Sequence, residues 1–146
     1  EIDLDAAIWV IPAERMKASR EHRVPLSTRA VALLTARKEV ATGDLVFEGG
    51  KEGKPTSDTA MATALREASG GDETLHGLRS SFRDWAVDAT HHPRDVIEAA
   101  LAHTLKDKTE AAYRRSDALD KRRILMEDWA AYCAGTTENM ESTVDG

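Results

Sequence analysis

Two short apolar runs near the start of the chain predict β-strands. The first, Ile8-Trp9-Val10-Ile11, ends at Pro12, which cannot donate a hydrogen bond to a sheet. A weaker run covers residues 22–26, and the stretch 14–21 between the two runs is polar. We therefore expect an antiparallel β-hairpin in this part of the chain.

Helical spacing of apolar residues follows over much of the remaining chain. Ser27 and Ser57 each precede such a segment, and serine is a favoured helix N-cap because its hydroxyl accepts a hydrogen bond from a free backbone N–H. Gly70-Gly71 is expected to end the second of these helices. Between the two helices, Leu45-Val46-Phe47 predicts a short strand, which a loop over residues 48–55 follows.

Three further helices are expected in the C-terminal half. The apolar stripe of the first consists of Leu75, Leu78, Phe82, Trp85 and Ala89. Pro93 suits the first turn of the next helix, and the last helix covers Leu119 to Tyr132. Its inward residues are expected to be Met126, Trp129, Ala130 and Cys133. The whole pattern predicts an α+β fold that is mainly α, with a small antiparallel sheet near the N-terminus followed by a helical bundle.

Composition and charge limit the function classes without choosing among them. The 146 residues, 41% of them hydrophobic, suit one globular domain, and the single cysteine excludes an internal disulfide. No apolar run approaches the roughly 18 residues of a membrane span, and the first residues are acidic rather than signal-like, so we expect a cytoplasmic protein. The net charge of −6 argues against a DNA partner, although basic residues cluster in 15–23 and 114–123.

His76 and Arg79 lie three positions apart in a predicted helix and therefore share a face. Arg79 lies nearer the apolar stripe, so we expect its guanidinium to be partly buried and fixed in direction. A fixed planar fork suits two-point recognition of a phosphate. Taken alone, such a pair is more often a histidine at a helix N-terminus beside a solvated arginine.

His103 and Tyr113 are ten residues apart in a later segment. A tyrosine phenol is a poor nucleophile at its free pKa of about 10, so it needs a base or cations beside it. Arg114 and Arg115 are candidates for such cations. Taken alone, Tyr113 is more often a half-buried aromatic residue. A metal site at His91-His92 is disfavoured, because adjacent side chains point apart and no third ligand lies nearby.

In combination, these segments resemble the tyrosine recombinase or phage integrase family, particularly the integrases of prophages and genomic islands. The likeness covers roughly residues 8 to 133, with the motifs in the family's order and spacing. The matching segments are 9–17 and 21–27 for the hairpin that holds the catalytic lysine, 74–85 for the His-Arg box, 100–103 for the second histidine box and 111–113 for the nucleophile box.

The resemblance implies DNA strand cleavage and rejoining through a 3′-phosphotyrosyl intermediate. It assigns the nucleophile to Tyr113, the phosphate-binding arginine to Arg79, and the acid that protonates the leaving 5′ oxygen to Lys17. His76 is then a base or hydrogen-bond partner of the reacting oxygens, and His103 a further donor to the phosphate. Because cations of the protein stabilise the charge, no metal or other cofactor is expected.

The partners implied are double-stranded DNA at attachment sites and further copies of the protein, in a tetramer assembled on DNA through the C-terminal helix. No membrane and no small-molecule substrate are expected. The side chains expected to contact DNA are Arg15, Arg20, Arg83 and Arg114. His22 is expected at a strand edge or facing DNA.

The chain departs from the family pattern at its start, where no residue can be assigned to an arginine that the family places upstream of the hairpin. We therefore expect a catalytic domain over residues 1–134 that lacks its N-terminal part, a flexible tail over residues 135–146, and no activity from this piece alone. One alternative is a non-cleaving fragment that binds DNA or a partner. Another, favoured by the acidic charge, is an unrelated helical interaction domain. Type IB topoisomerases use a similar residue set, but the hairpin and the boxes favour integrases.

Overall fold

The described part of the chain, residues 1–103 and 117–135 of the computed structural model, begins with a three-stranded antiparallel sheet in the order β1-β2-β3. The strands are β1 (Ile2–Asp3), β2 (Ile8–Ile11) and β3 (His22–Pro25). Pairing of Ile8 with Pro25 and of Ile11 with His22 confirms the predicted hairpin. A 3-10 turn, Ala13–Arg15, follows β2.

Two helices with serine caps follow the sheet, as predicted. In α1 (Thr28–Glu39) the Ser27 hydroxyl accepts a hydrogen bond from the N–H of Ala30 at 3.2 Å. The Ser57 hydroxyl does the same for α2 (Asp58–Ser69), which ends at Gly70 in the left-handed conformation, with φ of 71°. Glycine carries no penalty for that conformation, so it stops the helix at this point.

The segment between these helices is not a strand, so the prediction for residues 45–47 was wrong. Arg37 of α1 donates from Nε to the carbonyl of Val46 at 2.8 Å, and the N–H of Thr56 donates to the carbonyl of Phe47 at 3.0 Å. The pairing of this region is limited to an isolated bridge between Glu48 and Pro55. A side chain and a loop therefore satisfy backbone groups that a neighbouring strand would otherwise have paired.

Three helices form the core of the domain: α3 (Leu75–Asp88), α4 (Arg94–Ala100) and α5 (Leu119–Cys133). Pro93 is the N-cap residue of α4, where its missing N–H costs no hydrogen bond. The buried cluster consists of Phe82, Ala86, Val96, Ile97, Leu101 and Leu125. A small sheet followed by packed helices confirms the α+β, mainly α, fold class.

The apolar stripe of α3 is buried only in part. Phe82 and Ala86 are in the core, whereas Leu75 and Leu78 are 39% and 46% exposed, and Ala89 is also exposed. The reason is that the core residues of α4 and α5 pack against the C-terminal half of α3. The inward position predicted for Cys133 was also wrong, because this residue at the end of α5 lies beyond the core and is exposed.

One arginine of the predicted basic cluster is a buried residue. Arg122 of α5 is 1% exposed, and its Nη2 lies 3.2 Å from a carboxylate oxygen of Asp117. The same oxygen receives Arg23 of β3 at 2.8 Å, so Asp117 links the sheet to the start of α5. None of the helices within the described ranges has the length and apolar character needed to cross a bilayer.

Candidate functional site

The N-terminal end of α3 presents His76 and Arg79. The Thr74 hydroxyl caps the helix by accepting a hydrogen bond from the N–H of Gly77 at 2.9 Å, which starts the helix at Leu75. His76 and Arg79 therefore stand in the first turns, three positions apart on one side, and both are exposed. The shared face predicted from their spacing is confirmed.

Arg79 is held by the backbone of a second helix. Its Nη2 donates a hydrogen bond to the carbonyl of Leu101, the C-cap residue of α4. The side chain is more exposed than its place beside the apolar stripe predicted. The bond nevertheless fixes the direction of the guanidinium, and it brings Arg79 to the end of α4 that leads into His103.

The end of α4 has the geometry of a Schellman motif. Ala102 adopts the left-handed conformation with φ of 53°, and its N–H donates to the carbonyl of Ala99 at 3.1 Å. The N–H of His103 donates to the carbonyl of Glu98 at 2.9 Å. These are the two bonds that define the motif, and they place His103 directly beside Glu98.

Glu98 joins His103 to α3. One carboxylate oxygen lies 2.5 Å from Nδ1 of His103, and the other lies 3.3 Å from Nη2 of Arg83. The hydrogen bond from His103 is the main reason that the pKa of Glu98 lies below its usual value. Burial opposes this effect, and the charge of Arg83 lowers the pKa further. Glu98 is therefore an ionised carboxylate at neutral pH.

His22 lies on β3, an edge strand of the sheet, as expected, but it is half-buried against other parts of the protein. Burial, and then the positive charge of Arg122, lower its pKa, while a hydrogen bond with the backbone of Ala100 opposes this effect. Arg79 is near enough to lower the pKa of His22 slightly as well. His22 therefore also lies near the end of α4, and this contact with Ala100 was not predicted.

An open cleft lies beside Arg79. Its volume is about 300 Å³, and its walls are largely apolar, with Leu78 and Phe82 from α3 and Met126 and Trp129 from α5. Phe82 and Trp129 meet edge to face, with ring centroids 5.4 Å apart, so this wall is an aromatic surface. Arg79 therefore stands at the border between a polar rim and an apolar depression.

The structure does not bring the basic hairpin residues against Arg79. Lys17 and Arg20 lie exposed between β2 and β3, and no hydrogen bond or ion pair to a described residue holds Lys17. Arg15 pairs with Glu1 at 2.5 Å. Tyr113 and Arg114 fall outside the described residues, as does the predicted tail from residue 136 onward.

His92 belongs to a separate contact at the other end of α4. Its Nε2 lies 2.6 Å from a carboxylate oxygen of Asp128 on α5, so His92 links the segment before α4 to α5. Within the ranges that the structure describes, no three histidine, cysteine or acidic side chains are grouped so that they could hold a metal ion.

Comparison with known proteins identifies the same family that the motifs resemble. The family model described as "Phage integrase family" matches residues 1–119, which is most of the chain. The chain belongs to the phage integrase family. No solved structure matches it.

The curated relatives of this phage integrase family member include prophage and phage proteins. It is 44% identical over 133 residues to the prophage integrase IntA of Escherichia coli (strain K12), covering 89% of this chain and 32% of the relative. It is 34% identical over 151 residues to the integrase of Enterobacteria phage P4, covering 90% of this chain and 34% of the relative. The chain therefore spans about a third of the length of these curated relatives.

Sequence reasoning missed Glu98, although the sequence contained a signal for it. A helix that closes with a left-handed residue brings the residue after the turn back to the position five before it, and Glu98 stands five residues before His103. The usual marker of such a closure is glycine, and this chain has Ala102 instead. The closure was for this reason not predicted.

Proposed function

We propose that this chain is the catalytic part of a site-specific DNA recombinase that cleaves and rejoins DNA through a 3′-phosphotyrosyl intermediate. Family membership and the integrases among its relatives support the reaction class. The observation that carries the proposal is that Arg79 is bonded to the Leu101 carbonyl, at the end of α4 from which His103 follows, with both side chains exposed to solvent. We assign the catalytic domain to residues 1–134.

Arg79 binds the scissile phosphate. One of its five N–H groups is used by the Leu101 carbonyl, so the guanidinium is oriented while most of its donors stay available. A preorientated cation stabilises the charge that accumulates on the phosphoryl oxygens in the transition state, without having to be ordered at that moment. His103 and His76 contribute further hydrogen bonds to the reacting oxygens.

The chemistry is a pair of transesterifications. The Tyr113 phenol gives its proton to a base, the role expected of His76, and its oxygen attacks phosphorus. A tyrosyl–phosphorus bond forms and the bond from phosphorus to the 5′ oxygen breaks, with Lys17 supplying the proton to that oxygen. A 5′-hydroxyl from the partner strand then attacks the same phosphorus and releases Tyr113. One phosphodiester replaces another, so no nucleotide cofactor is consumed. The exposed hairpin position of Lys17 suits an acid that engages when DNA is bound.

DNA contacts beyond the site come from Arg15, Arg20, Arg83 and Arg114. Arg15 is paired with Glu1 and Arg83 with Glu98, and a guanidinium has five N–H groups, so each arginine can bind a phosphate while its ion pair stays in place. Assembly into a tetramer on DNA uses the outer face of α5, where Ile124 is 60% exposed.

The test uses the full-length protein and a nicked duplex that carries the crossover site, mapped as the junction at which the mobile element ends. We expect a covalent protein–DNA band on a denaturing gel that Tyr113→Phe abolishes. Tyr132→Phe is the matched control, because the ring of Tyr132 packs on Trp85 and Trp129 and phenylalanine keeps that packing. It is expected to leave the band unchanged.

A full-length protein that binds this duplex without forming the covalent band would contradict the proposal. That result would favour the alternative of a non-cleaving fragment that binds DNA or a partner. A band that persists in Tyr113→Phe would leave strand cleavage standing but remove Tyr113 as its nucleophile.

A further inference from the structure

We infer that Glu98 is a positioning residue for His103, holding the imidazole by Nδ1 so that Nε2 is presented to the DNA phosphate. The inference rests on the proposed function, in which His103 contacts that phosphate. It assigns a role to a carboxylate that lies behind the site, since the Glu98 side chain is only 13% exposed whereas that of His103 is 42% exposed.

Two hydrogen bonds join the same two residues. The backbone N–H of His103 donates to the carbonyl of Glu98 at 2.9 Å, and the ring nitrogen Nδ1 lies 2.5 Å from the Glu98 carboxylate. The first bond fixes where the His103 backbone leaves α4, and the second fixes the rotation of the ring. An exposed side chain with one attachment would sample several rotamers, but with both attachments the ring has one orientation.

The direction of the ring contact follows from the charge of Glu98. Its pKa lies below the usual value, so the carboxylate is ionised at neutral pH and can only accept hydrogen bonds. The proton in this contact therefore belongs to Nδ1. The neutral ring keeps its proton there, and the protonated ring adds a second proton on Nε2, which is then the donor to a phosphate oxygen.

Glu98 is itself fixed from the opposite side. Arg83 of α3 contacts the second carboxylate oxygen through both Nε and Nη2 at 3.3 Å. Arg79, one turn earlier on the same helix, donates to the Leu101 carbonyl of α4. These two links run between α3 and α4 on the same side of the site, so the spacing between Arg79 and His103 is set by the helix pair.

The first experiment observes the ring directly in the full-length protein labelled with 15N-histidine. We expect the His103 resonances to show a proton on Nδ1 in the neutral ring. Glu98→Ala is expected to move that proton to Nε2 or to an average of the two forms. Glu98→Gln is expected to retain it, because the amide oxygen still accepts. Asp128→Asn alters a second histidine–carboxylate contact and is expected to leave His103 unchanged.

The second experiment measures single-turnover cleavage of the nicked duplex. We expect Glu98→Ala to slow cleavage roughly 10- to 100-fold, the range found when an orienting partner of a metal-bound histidine is removed. Glu98→Gln is expected to recover most of the rate, since it keeps the position and loses only the charge. Asp128→Asn is expected to cleave at the parent rate.

The outcomes separate this inference from the proposed function. Glu98→Ala that cleaves at the parent rate, while Tyr113→Phe forms no covalent product, would overturn the role of Glu98 and leave the recombinase in place. Glu98→Gln that retains the Nδ1 proton but stays as slow as Glu98→Ala would also overturn positioning, because the charge would then be the essential property. A parent protein that forms no Tyr113-dependent product would remove the proposed function, and this role with it.

Discussion

The two ends of α4 each carry a histidine paired with a carboxylate, and the pairs are inverted in burial. At the N-terminal end the His92 side chain is 16% exposed and its partner Asp128 is 52% exposed. At the C-terminal end His103 is 42% exposed and Glu98 is 13% exposed. The nitrogen–oxygen distances are nearly equal, 2.6 Å and 2.5 Å, so the contact itself does not distinguish the two.

The difference shows which member of each pair is available to a ligand. At the first end the ring is inside, and its bond to Asp128 serves the packing of α4 on α5. At the second end the carboxylate is inside and the ring faces solvent beside Arg79. The same hydrogen bond thus stabilises a helix contact in one place and orients a solvent-facing nitrogen in the other.

The largest expected effect separates the two histidines by activity. His103→Ala is expected to slow covalent cleavage of the nicked duplex by about 100-fold, the loss typical when one preorganised donor to a transition state is removed. His92→Ala is expected to cleave at the parent rate, because its ring contacts Asp128 and not the site. Single-turnover gels of the two full-length variants, run below their unfolding temperatures, make the comparison.

Equal losses in the two variants would break this distinction, since they would mean that both histidines act through the stability of α4. Unaltered cleavage in His103→Ala would also contradict this distinction. It would remove His103 from the reaction while leaving Tyr113 and Arg79 in place.

A smaller effect, on stability, is expected to run in the reverse order. Asp128→Ala leaves the nearly buried ring of His92 without its acceptor and is expected to cost about 1–2 kcal/mol. Glu98→Ala leaves His103 and Arg83, both about two-fifths exposed, which water can solvate, so we expect a smaller loss. Urea unfolding of the full-length protein measures both, and a larger loss for Glu98→Ala would show that its main role is structural.

The smallest effect concerns the residue that turns the chain from α4 to His103. Ala102 has φ of 53°, a conformation that costs a residue with a side chain about 1–2 kcal/mol and glycine almost nothing. Glycine also gains freedom in the unfolded chain, which offsets part of this saving. Ala102→Gly is therefore expected to stabilise the protein by roughly 0.5–1 kcal/mol. Ala99→Gly, inside α4, is the matched control and is expected to destabilise by about 1 kcal/mol. A loss of stability in Ala102→Gly would contradict the assigned backbone strain.

Local signals predicted much of this fold correctly. The serine caps at Ser27 and Ser57 and the two runs of the hairpin act through neighbouring residues, which a single sequence displays. The error over residues 45–47 came from a contact nine residues away, in which Arg37 takes the carbonyl that a strand would have paired. The exposure of Leu78 was not predicted for a related reason. Helical spacing defines an apolar face, but not the length of that face that other helices cover.

For the candidate site, the sequence predicted the shared face of His76 and Arg79 but not the contacts that hold the side chains. The spacing of His76 and Arg79 determines their shared side, which a helix period alone gives. The acceptor for Arg79 is a backbone carbonyl, and the buried Arg122 is held by Asp117, so neither contact leaves a readable pattern in the sequence. Predicting the contact of Glu98 required knowing how α4 ends. That ending was not predicted, because alanine rather than glycine adopts the left-handed conformation there.

The bond between Arg79 and the Leu101 carbonyl determines which kinds of sequence change this site can tolerate. The acceptor is a main-chain atom, so a substitution at position 101 that preserves the end of α4 also preserves the acceptor. One residue inserted into or deleted from α4 would instead rotate its end by about 100° and shift it by about 1.5 Å, carrying the carbonyl away from the guanidinium. Divergence among descendants of this chain is therefore expected to allow substitutions at position 101 while keeping the length of α4 constant.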